Sequence, residues 1–258
     1  NQDGVMKGTN YQRYTLQSKQ DFKKGIFQAG TNVVLTYDQS NPLYSVIRGG
    51  MVGHTLQAIP TWEQYDENRT GGYGGLYGDV VNLTHPLGMV DDNLMKRYSD
   101  NVKIFANGYV SVELMKGLKY KLNLTPDFQF YRYNSYEGLF DFGLAKHDIT
   151  AVTEQQTRTR NILVENLLTF DRTFGDHKVS ALVGYTYQDS RYRYMQGSGQ
   201  GMPTGITEID AASQGLAVSG NSSRSVLTSI LGRAFYSYKN RYLLTATIRR
   251  DGSSKFGS

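Results

Sequence analysis

The sequence predicts an all-β fold: an antiparallel sheet of about eight long strands that forms one segment of a larger transmembrane β-barrel with long extracellular loops. Three observations lead to this fold class. Apolar and polar residues alternate over unusually long stretches, short and long connections alternate along the chain, and aromatic residues recur at two heights of the apolar face. Together they predict a different solvent for each face of the sheet.

Residues 102–130 show the clearest alternation. From Val102 to Leu114 the even positions are apolar and the odd positions are mostly polar, and after a break at 116–118 the pattern resumes as far as Phe130. Successive side chains of a strand point to opposite faces, so this stretch predicts a hairpin with one apolar and one polar face. Both strands exceed the globular mean of about five or six residues and are long enough to cross a bilayer.

The same design recurs along the chain. The predicted hairpins lie at about 9–38, 102–133, 157–188 and 225–250. Long connections separate them at 39–101, 134–156 and 189–224. Outer-membrane barrels have short periplasmic turns and long extracellular loops, whereas turns in soluble sandwiches recur every 8 to 12 residues or so. The alternating connections therefore favour a barrel segment.

Aromatic residues indicate the two surfaces of a membrane. One set lies near the short turns: Phe27, Tyr120, Phe170, Tyr236, Tyr238 and Tyr242. The other set lies farther along the strands: Tyr37, Phe128, Phe130, Tyr185 and Tyr187. The sets are about eight to ten residues apart, which at ~3.3 Å per residue and ~40° of tilt gives roughly 20 to 25 Å, the height of the apolar band of a barrel.

Two residues disturb the pattern. Asn166 falls among the apolar positions of its strand, so the assignment of faces is least direct there. Pro126 lies within a strand but cannot donate a backbone hydrogen bond, which predicts a β-bulge or a position above the hydrocarbon.

Composition and motifs argue against several functional classes. The absence of cysteine excludes disulfide scaffolds and cysteine-based zinc sites, and a net charge of +5 without a basic block does not suggest a nucleic-acid partner. The isolated histidines and the Gly-rich run at 71–78 match no metal or phosphate site, and no catalytic motif is present. We therefore predict a non-enzyme without cofactor, catalytic residues or metal. Because the chain starts without Met and stops just after a strand, we interpret it as part of a longer protein, without the plug and the C-terminal strands.

Contact with substrate is the remaining predicted role, because aromatic rings can stack on sugars or peptides. The candidates in or beside the long connections are Trp62, Tyr65, Tyr73, Tyr77, Tyr136, Phe140, Phe142, Tyr192 and Tyr194. Three more candidates are predicted to point into the lumen: Tyr109, Tyr131 and Tyr133. For each of them, packing within the protein is the alternative.

Residues 242–257 resemble a signature stretch of SusC/RagA-like TonB-dependent outer-membrane transporters, and residues 165–185 and 114–122 resemble two preceding barrel hairpins of that family. The most specific part is the predicted signature turn, formed by Arg249, Arg250, Asp251, Gly252, Ser253, Ser254 and Phe256. At the outer end of a strand, this turn is expected to anchor a loop. The resemblance implies a parent barrel of about 22 strands with a plugged lumen.

The resemblance also implies a function, namely TonB-energised import of glycans or peptides across the outer membrane of a Gram-negative bacterium. The implied partners are a SusD-like surface lipoprotein, the TonB complex acting through the missing N-terminal part, an oligosaccharide or peptide substrate, and outer-membrane lipid. Two alternatives remain open at this stage. A passive porin would lack the plug, and a soluble β-rich carbohydrate-binding module would cover its apolar face with protein.

Overall fold

A computed structural model describes residues 2–4, 7–42, 50–76 and 84–256. Within these ranges the chain forms a nine-stranded antiparallel sheet and a separate two-stranded ribbon. The strands are β1 (Gln2–Asp3), β2 (Asn10–Lys24), β3 (Phe27–Ser40), β4 (Met95–Met115), β5 (Leu118–Glu137), β6 (Phe140–Asp141), β7 (Lys146–His147), β8 (Ala151–Phe174), β9 (His177–Gln200), β10 (Gln214–Tyr238) and β11 (Tyr242–Ser253). The helices are α1 (Gly50–Gln57) and two single 3-10 turns, Gly88–Val90 and Ile209–Ala211.

The sheet follows the order of the chain, apart from the ribbon β6–β7, which lies outside it. The predicted hairpins are the pairs β2–β3, β4–β5, β8–β9 and β10–β11. Their turns need left-handed backbone, which Gly25, Gly117 and Gly175 provide at φ values of 57°, 86° and 56°. In the last hairpin Lys239 and Asn240 take this conformation. The predicted all-β class is confirmed.

The strands are longer than the sequence predicted. Strands β8 and β9 have 24 residues each and β10 has 25. The connections at the opposite end from the short turns therefore shrink to 41–94, 138–150 and 201–213, which corrects the predicted loops 39–101, 134–156 and 189–224. The outer ends of the strands are polar at most positions of both faces and lack a sustained apolar alternation, so pattern alone could not distinguish them from loop.

Cross-strand register separates the two faces of the sheet. We call the side of Val110, Val183 and Leu244 the apolar face, and the opposite side the polar face. Val110 pairs with Ala29 and Leu122, so apolar residues continue from strand to strand. Val110, Val183 and Leu244 are 49%, 57% and 66% exposed, and nothing in the described part of the chain packs over them. The soluble alternative requires protein to cover this face, and none of the described residues covers it at these three positions.

Buried apolar side chains lie in the long connections and at the outer ends of the strands, beyond the exposed part of the apolar face. One cluster, formed by Met51, Met89, Leu94, Met95, Phe140 and Phe142, joins the first and second long connections. We call the described residues 50–76, 84–94 and 138–150 the cap. A backbone bridge between Leu76 and Gly143 links the part of the cap from the first long connection to the part from the second. A second cluster, of Tyr136, Val152 and Met202, holds the connection 201–213 against β5 and β8.

No helix within the described ranges is long and apolar enough to cross a membrane.

The register also explains the two residues that disturbed the sequence pattern. Asn166 does lie on the apolar face, where its Oδ1 accepts a hydrogen bond of 2.6 Å from the Tyr120 hydroxyl. Pro126 causes no bulge, because the pairs Phe105–Asp127 and Gly108–Leu124 keep one register on either side of it. Between these two pairs, residues 125 and 126 of β5 have no partner in β4. On its other side Pro126 still pairs with Ile162 of β8. The bulge expected at Pro126 is therefore wrong, and the ladder is interrupted instead; the alternative, a position above the hydrocarbon, stays a prediction.

Candidate ligand-binding surface

The outer half of the polar face carries four of the predicted substrate-contact residues. Tyr131 and Tyr133 come from β5, and Tyr192 and Tyr194 come from β9. Both strands place them on the same face because Thr157 of β8 pairs with Tyr131 on one side and Tyr194 on the other. We call these four residues, with the polar residues on their rungs, the tyrosine band.

The tyrosine band is uncharged. Its three rungs across β5, β8, β9 and β10 are Gln129–Thr159–Tyr192–Ser223, Tyr131–Thr157–Tyr194–Asn221 and Tyr133–Gln155–Gln196–Ser219. Every side chain in these rungs is an aromatic, an amide or a hydroxyl group. Such groups hydrogen-bond neutral polar molecules, and the rings add flat apolar surface.

Hydrogen bonds within the tyrosine band fix part of it. The Gln155 amide donates to Oε1 of Gln196 at 3.2 Å, and the Tyr194 hydroxyl donates to the same oxygen. Tyr192 is 39% exposed, and Tyr131, Tyr133 and Tyr194 are half-buried. The band therefore combines held amides with accessible ring faces.

Tyr109 lies on the polar face nearer the short turns, as predicted, but it is tied into a charged network. Its hydroxyl donates to Asp21 at 3.0 Å, and Lys121 Nζ lies 4.5 Å from its ring centroid. Gly30 provides room for the ring, since a Cβ there would come within 2.5 Å of a Tyr109 ring carbon. The ring bridges β2, β4 and β5 and does not belong to the tyrosine band.

Three candidates from the long connections are buried, which corrects their expected contact with substrate. Phe142 is fully buried and stacks on Phe140 at 4.4 Å between centroids. Tyr136 is 1% exposed, and its hydroxyl accepts the Gly205 N–H at 2.9 Å. These rings pack the connections against one another and against the strands, and the apolar area that they bury stabilises this packing.

The remaining cap candidates are partly accessible. The Trp62 indole donates to the Gly74 carbonyl at 3.0 Å, and the Tyr73 hydroxyl donates to Asp91 at 2.9 Å. Burial, together with the bond to Asp91, raises the pKa of Tyr73 to about 12. Tyr65 is 62% exposed beside Tyr73. Tyr77 lies outside the described residues.

Histidine and ion pairs also stabilise the cap. His85 is buried between the rings of Trp62, Tyr73 and Phe142, and this desolvation lowers the pKa of its imidazole. Asp141 accepts from Lys146 at 2.9 Å and from Arg69 at 3.0 Å, and chiefly the contact with Lys146 lowers the pKa of its carboxyl group.

Among the described residues, no group of three or more His, Asp or Glu side chains could hold a metal ion.

The family-signature residues form strand rather than turn as far as Ser253, which corrects their predicted conformation. Arg249 donates to Asp251 at 2.9 Å and to the Ser229 hydroxyl at 3.3 Å, and the Val226 N–H donates to Ser254 at 2.9 Å. The bond to Asp251 lies within β11, and the other two join the outer end of β11 to β10. Arg250 and Gly252 share the strand, and the exposed Phe256 follows it.

Comparison with known proteins identifies relatives across nearly the whole chain. No protein-family model matches it. TonB-dependent receptor P3 of Formosa agariphila is 28% identical over 99% of this chain, and TonB-dependent receptor P39 of the same organism is 27% identical over 98%. These alignments cover 26% and 24% of the two receptors, so the chain spans about a quarter of the length of the curated relatives it matches.

The structural comparison agrees with the sequence comparison. The RagAB peptide transporter superposes with a TM-score of 0.79 at 16% identity, over 97% of this chain and 28% of the transporter chain. The RagAB peptide importer in its closed-closed state gives the same TM-score at 17% identity. The fold is that of a segment of the RagAB transporter barrel, and the predicted resemblance to SusC/RagA-like transporters is confirmed.

Proposed function

We propose that this chain, which resembles part of the barrel domain of SusC/RagA-like TonB-dependent transporters, forms one side of an outer-membrane importer for oligomeric nutrients. The apolar face meets the lipid, and the polar face lines the lumen. The substrate passes the tyrosine band on its way from the extracellular opening. A SusD-like surface lipoprotein covers that opening, and the TonB complex energises transport through the N-terminal part of the parent protein.

The observation that supports this proposal is that the two faces of β5, β8, β9 and β10 differ in polarity. Their apolar face is exposed, as hydrocarbon contact requires, and their polar face displays the uncharged tyrosine band. In an outer-membrane barrel the lumen is polar and the lipid-facing side is apolar. The chemistry of the tyrosine band then defines what the lumen can recognise.

The tyrosine band suits a neutral, repetitive polar chain. Amide and hydroxyl groups can bond either sugar hydroxyls or peptide N–H and C=O groups, and tyrosine rings can stack on the apolar side of either substrate. The absence of fixed charge in its rungs does not favour a highly charged substrate. Oligosaccharides and oligopeptides are therefore the proposed substrate classes, and RagAB is a peptide transporter of the same fold.

The substrate proposal is tested by removing tyrosines from one face at a time. Tyr131→Ala with Tyr194→Ala, in the complete parent barrel, is expected to weaken oligosaccharide or oligopeptide binding by roughly 5- to 150-fold, because each ring contact is worth about 0.5 to 1.5 kcal/mol. Tyr185→Ala with Tyr187→Ala is the matched control, since it removes two rings from the apolar face of β9. Calorimetry with defined oligosaccharide and oligopeptide pools measures both. Equal losses in the two variants would contradict the assignment of the lumen face.

Energised import is tested separately in cells that produce the parent protein. Uptake of the oligomer that binds is expected to stop when TonB is deleted or the proton-motive force is collapsed, while binding at the cell surface persists. Uptake that continues under both conditions would support the passive porin instead.

A further inference from the structure

The strands that form the tyrosine band carry arginines on their other side. Arg160 of β8 pairs with Arg191 of β9, which pairs with Arg224 of β10, so three arginines follow one another along a single rung. One rung farther out, Arg158 pairs with Arg193. We call these five residues the arginine patch. Their rungs alternate with those of the tyrosine band, which places them on the apolar-face side of the sheet.

The positive charge of the arginine patch is poorly balanced. Asp189 is its nearest carboxylate, at 3.0 Å from Arg224, 3.2 Å from Arg191 and 3.7 Å from Arg160. No carboxylate among the described residues forms a salt bridge with Arg158 or Arg193. Like charges directly opposite each other destabilise a sheet, so an anion bound among these five arginines would offset repulsion that one aspartate leaves.

Side-chain geometry leaves donors available for those anions. Arg191 and Arg224 each direct two nitrogens at Asp189, while Arg158 and Arg193 are exposed. Nε of Arg160 is buried without a hydrogen-bond partner. A depression of about 490 Å³ lies among these side chains and is lined by all five arginines together with Tyr192, Ser222 and Ser223.

The height of the arginine patch on the sheet identifies the source of the anions. Phe128 and Phe130 pair with Arg160 and Arg158, so the arginines are level with the outer set of aromatic residues. Tyr187 lies on the same face of β9, two residues before Asp189. Aromatic residues of this kind mark the head-group level of a bilayer. On the apolar-face side, that level is where lipid head groups meet the barrel.

We propose that the arginine patch binds phosphate groups of a phosphorylated lipid head group in the outer leaflet. Guanidinium groups match phosphate with paired N–H donors, and clustered arginines can share one phosphate or hold two. Asp189 positions Arg191 and Arg224 for this contact. The proposal rests on the membrane placement in the proposed function, but it concerns the opposite face of the sheet and requires no transport.

The test uses the complete parent barrel in neutral detergent and native mass spectrometry with three probes: lipid A carrying two phosphates, its form lacking both phosphates, and inorganic pyrophosphate. We expect the phosphorylated lipid to bind at least tenfold more tightly than the other two. Arg158→Gln with Arg193→Gln is expected to reduce that preference at least fivefold, and Arg158→Lys with Arg193→Lys by less, because lysine keeps the charge but loses the paired donors.

The control removes the same charge from the polar face. Arg233→Gln with Lys178→Gln should leave binding of phosphorylated lipid A unchanged. Variants are compared only if their folded barrels migrate normally without heating, since unfolded barrels do not. Equal lipid binding by the Arg158/Arg193 variant and the parent barrel would overturn the proposal, as would pyrophosphate binding as tightly as the lipid. Loss of substrate uptake with lipid binding intact would contradict the proposed function and leave the lipid site standing.

Discussion

Apolar side chains are exposed on one face of the sheet but buried in the core cluster of the cap. On the sheet, Val183 and Leu244 are 57% and 66% exposed. In the cap, Met51 is 3% exposed and Phe142 is fully buried. In the membrane placement proposed above, this difference follows from the solvent of each region, lipid for the apolar face of the sheet and water for the cap.

An apolar residue in the sequence therefore does not by itself predict a buried side chain, because the solvent around each region decides whether burial is favourable. A cap in water buries its apolar residues to remove them from the solvent. A sheet in lipid leaves them exposed because hydrocarbon is already an apolar solvent, and only its second face must suit water. Substitutions that act differently in the two regions therefore test the account directly.

The largest expected effect is a cavity in the cap. Phe142→Ala should lower the local free energy of unfolding of the cap by about 3 to 5 kcal/mol, because the ring is fully buried among Met89, Phe140 and His85. Native-state hydrogen exchange of residues 84–94 and 138–147 measures this. Leu124→Ala is the control on the sheet, where lipid fills the space and the loss should stay below about 1 kcal/mol. Similar losses at the two sites would remove the distinction between the regions.

A charge on the lipid-facing side should have the next largest effect. Leu124, midway between Tyr120 and Phe128 on the apolar face, is 46% exposed. Leu124→Arg should cost about 2 to 4 kcal/mol in refolding titrations of the parent barrel in lipid. Its neighbour Thr125→Arg places the same charge on the polar face and should cost less than about 1 kcal/mol. A larger cost for Thr125→Arg would reverse the assignment of the faces.

A smaller effect is expected from pH, and only in the cap. Because burial among aromatic rings lowers the pKa of His85, the folded cap takes up a proton less readily than the unfolded one. The contribution of neutral His85 to the free energy of unfolding of the cap is thus complete above the pKa of histidine in the unfolded state, about 6.5. It decreases as the pH falls below that value. Limited proteolysis of the cap should accelerate between pH 7.5 and 5.5. His85→Gln should reduce that acceleration, and an unchanged pH response would assign it to other groups.

Much of the sheet could be predicted from sequence, since alternation in β4 and β5 identifies both faces and Gly117 identifies the turn. The outer ends of β8, β9 and β10 could not be predicted. Most of their residues, such as Thr153 and Ser219, are polar whichever face they lie on, so the sequence there shows no sustained period-two pattern. Their strand structure is set by pairing with neighbours rather than by their own pattern.

The site was predicted in part. Tyr131 and Tyr133 were placed on the polar face by alternation, and they lie there. Tyr192 and Tyr194 were expected beside a loop and join the same surface through β9. Phe140 and Phe142 pack the cap, because a loop sequence does not reveal which aromatic residues find partners distant in the chain. Arg158 and Arg193 went unnoticed for the same reason, since only register brings them together.

The central claim is that one face of this sheet meets hydrocarbon and the other meets water. Spin labels at Val183→Cys and Thr186→Cys, in a cysteine-free parent barrel reconstituted in lipid, test it most directly by collision with oxygen and with a water-soluble nickel complex. The account predicts that the label at 183 collides mainly with oxygen and the label at 186 mainly with nickel. Matching accessibilities at the two positions, or the reverse order, would contradict it.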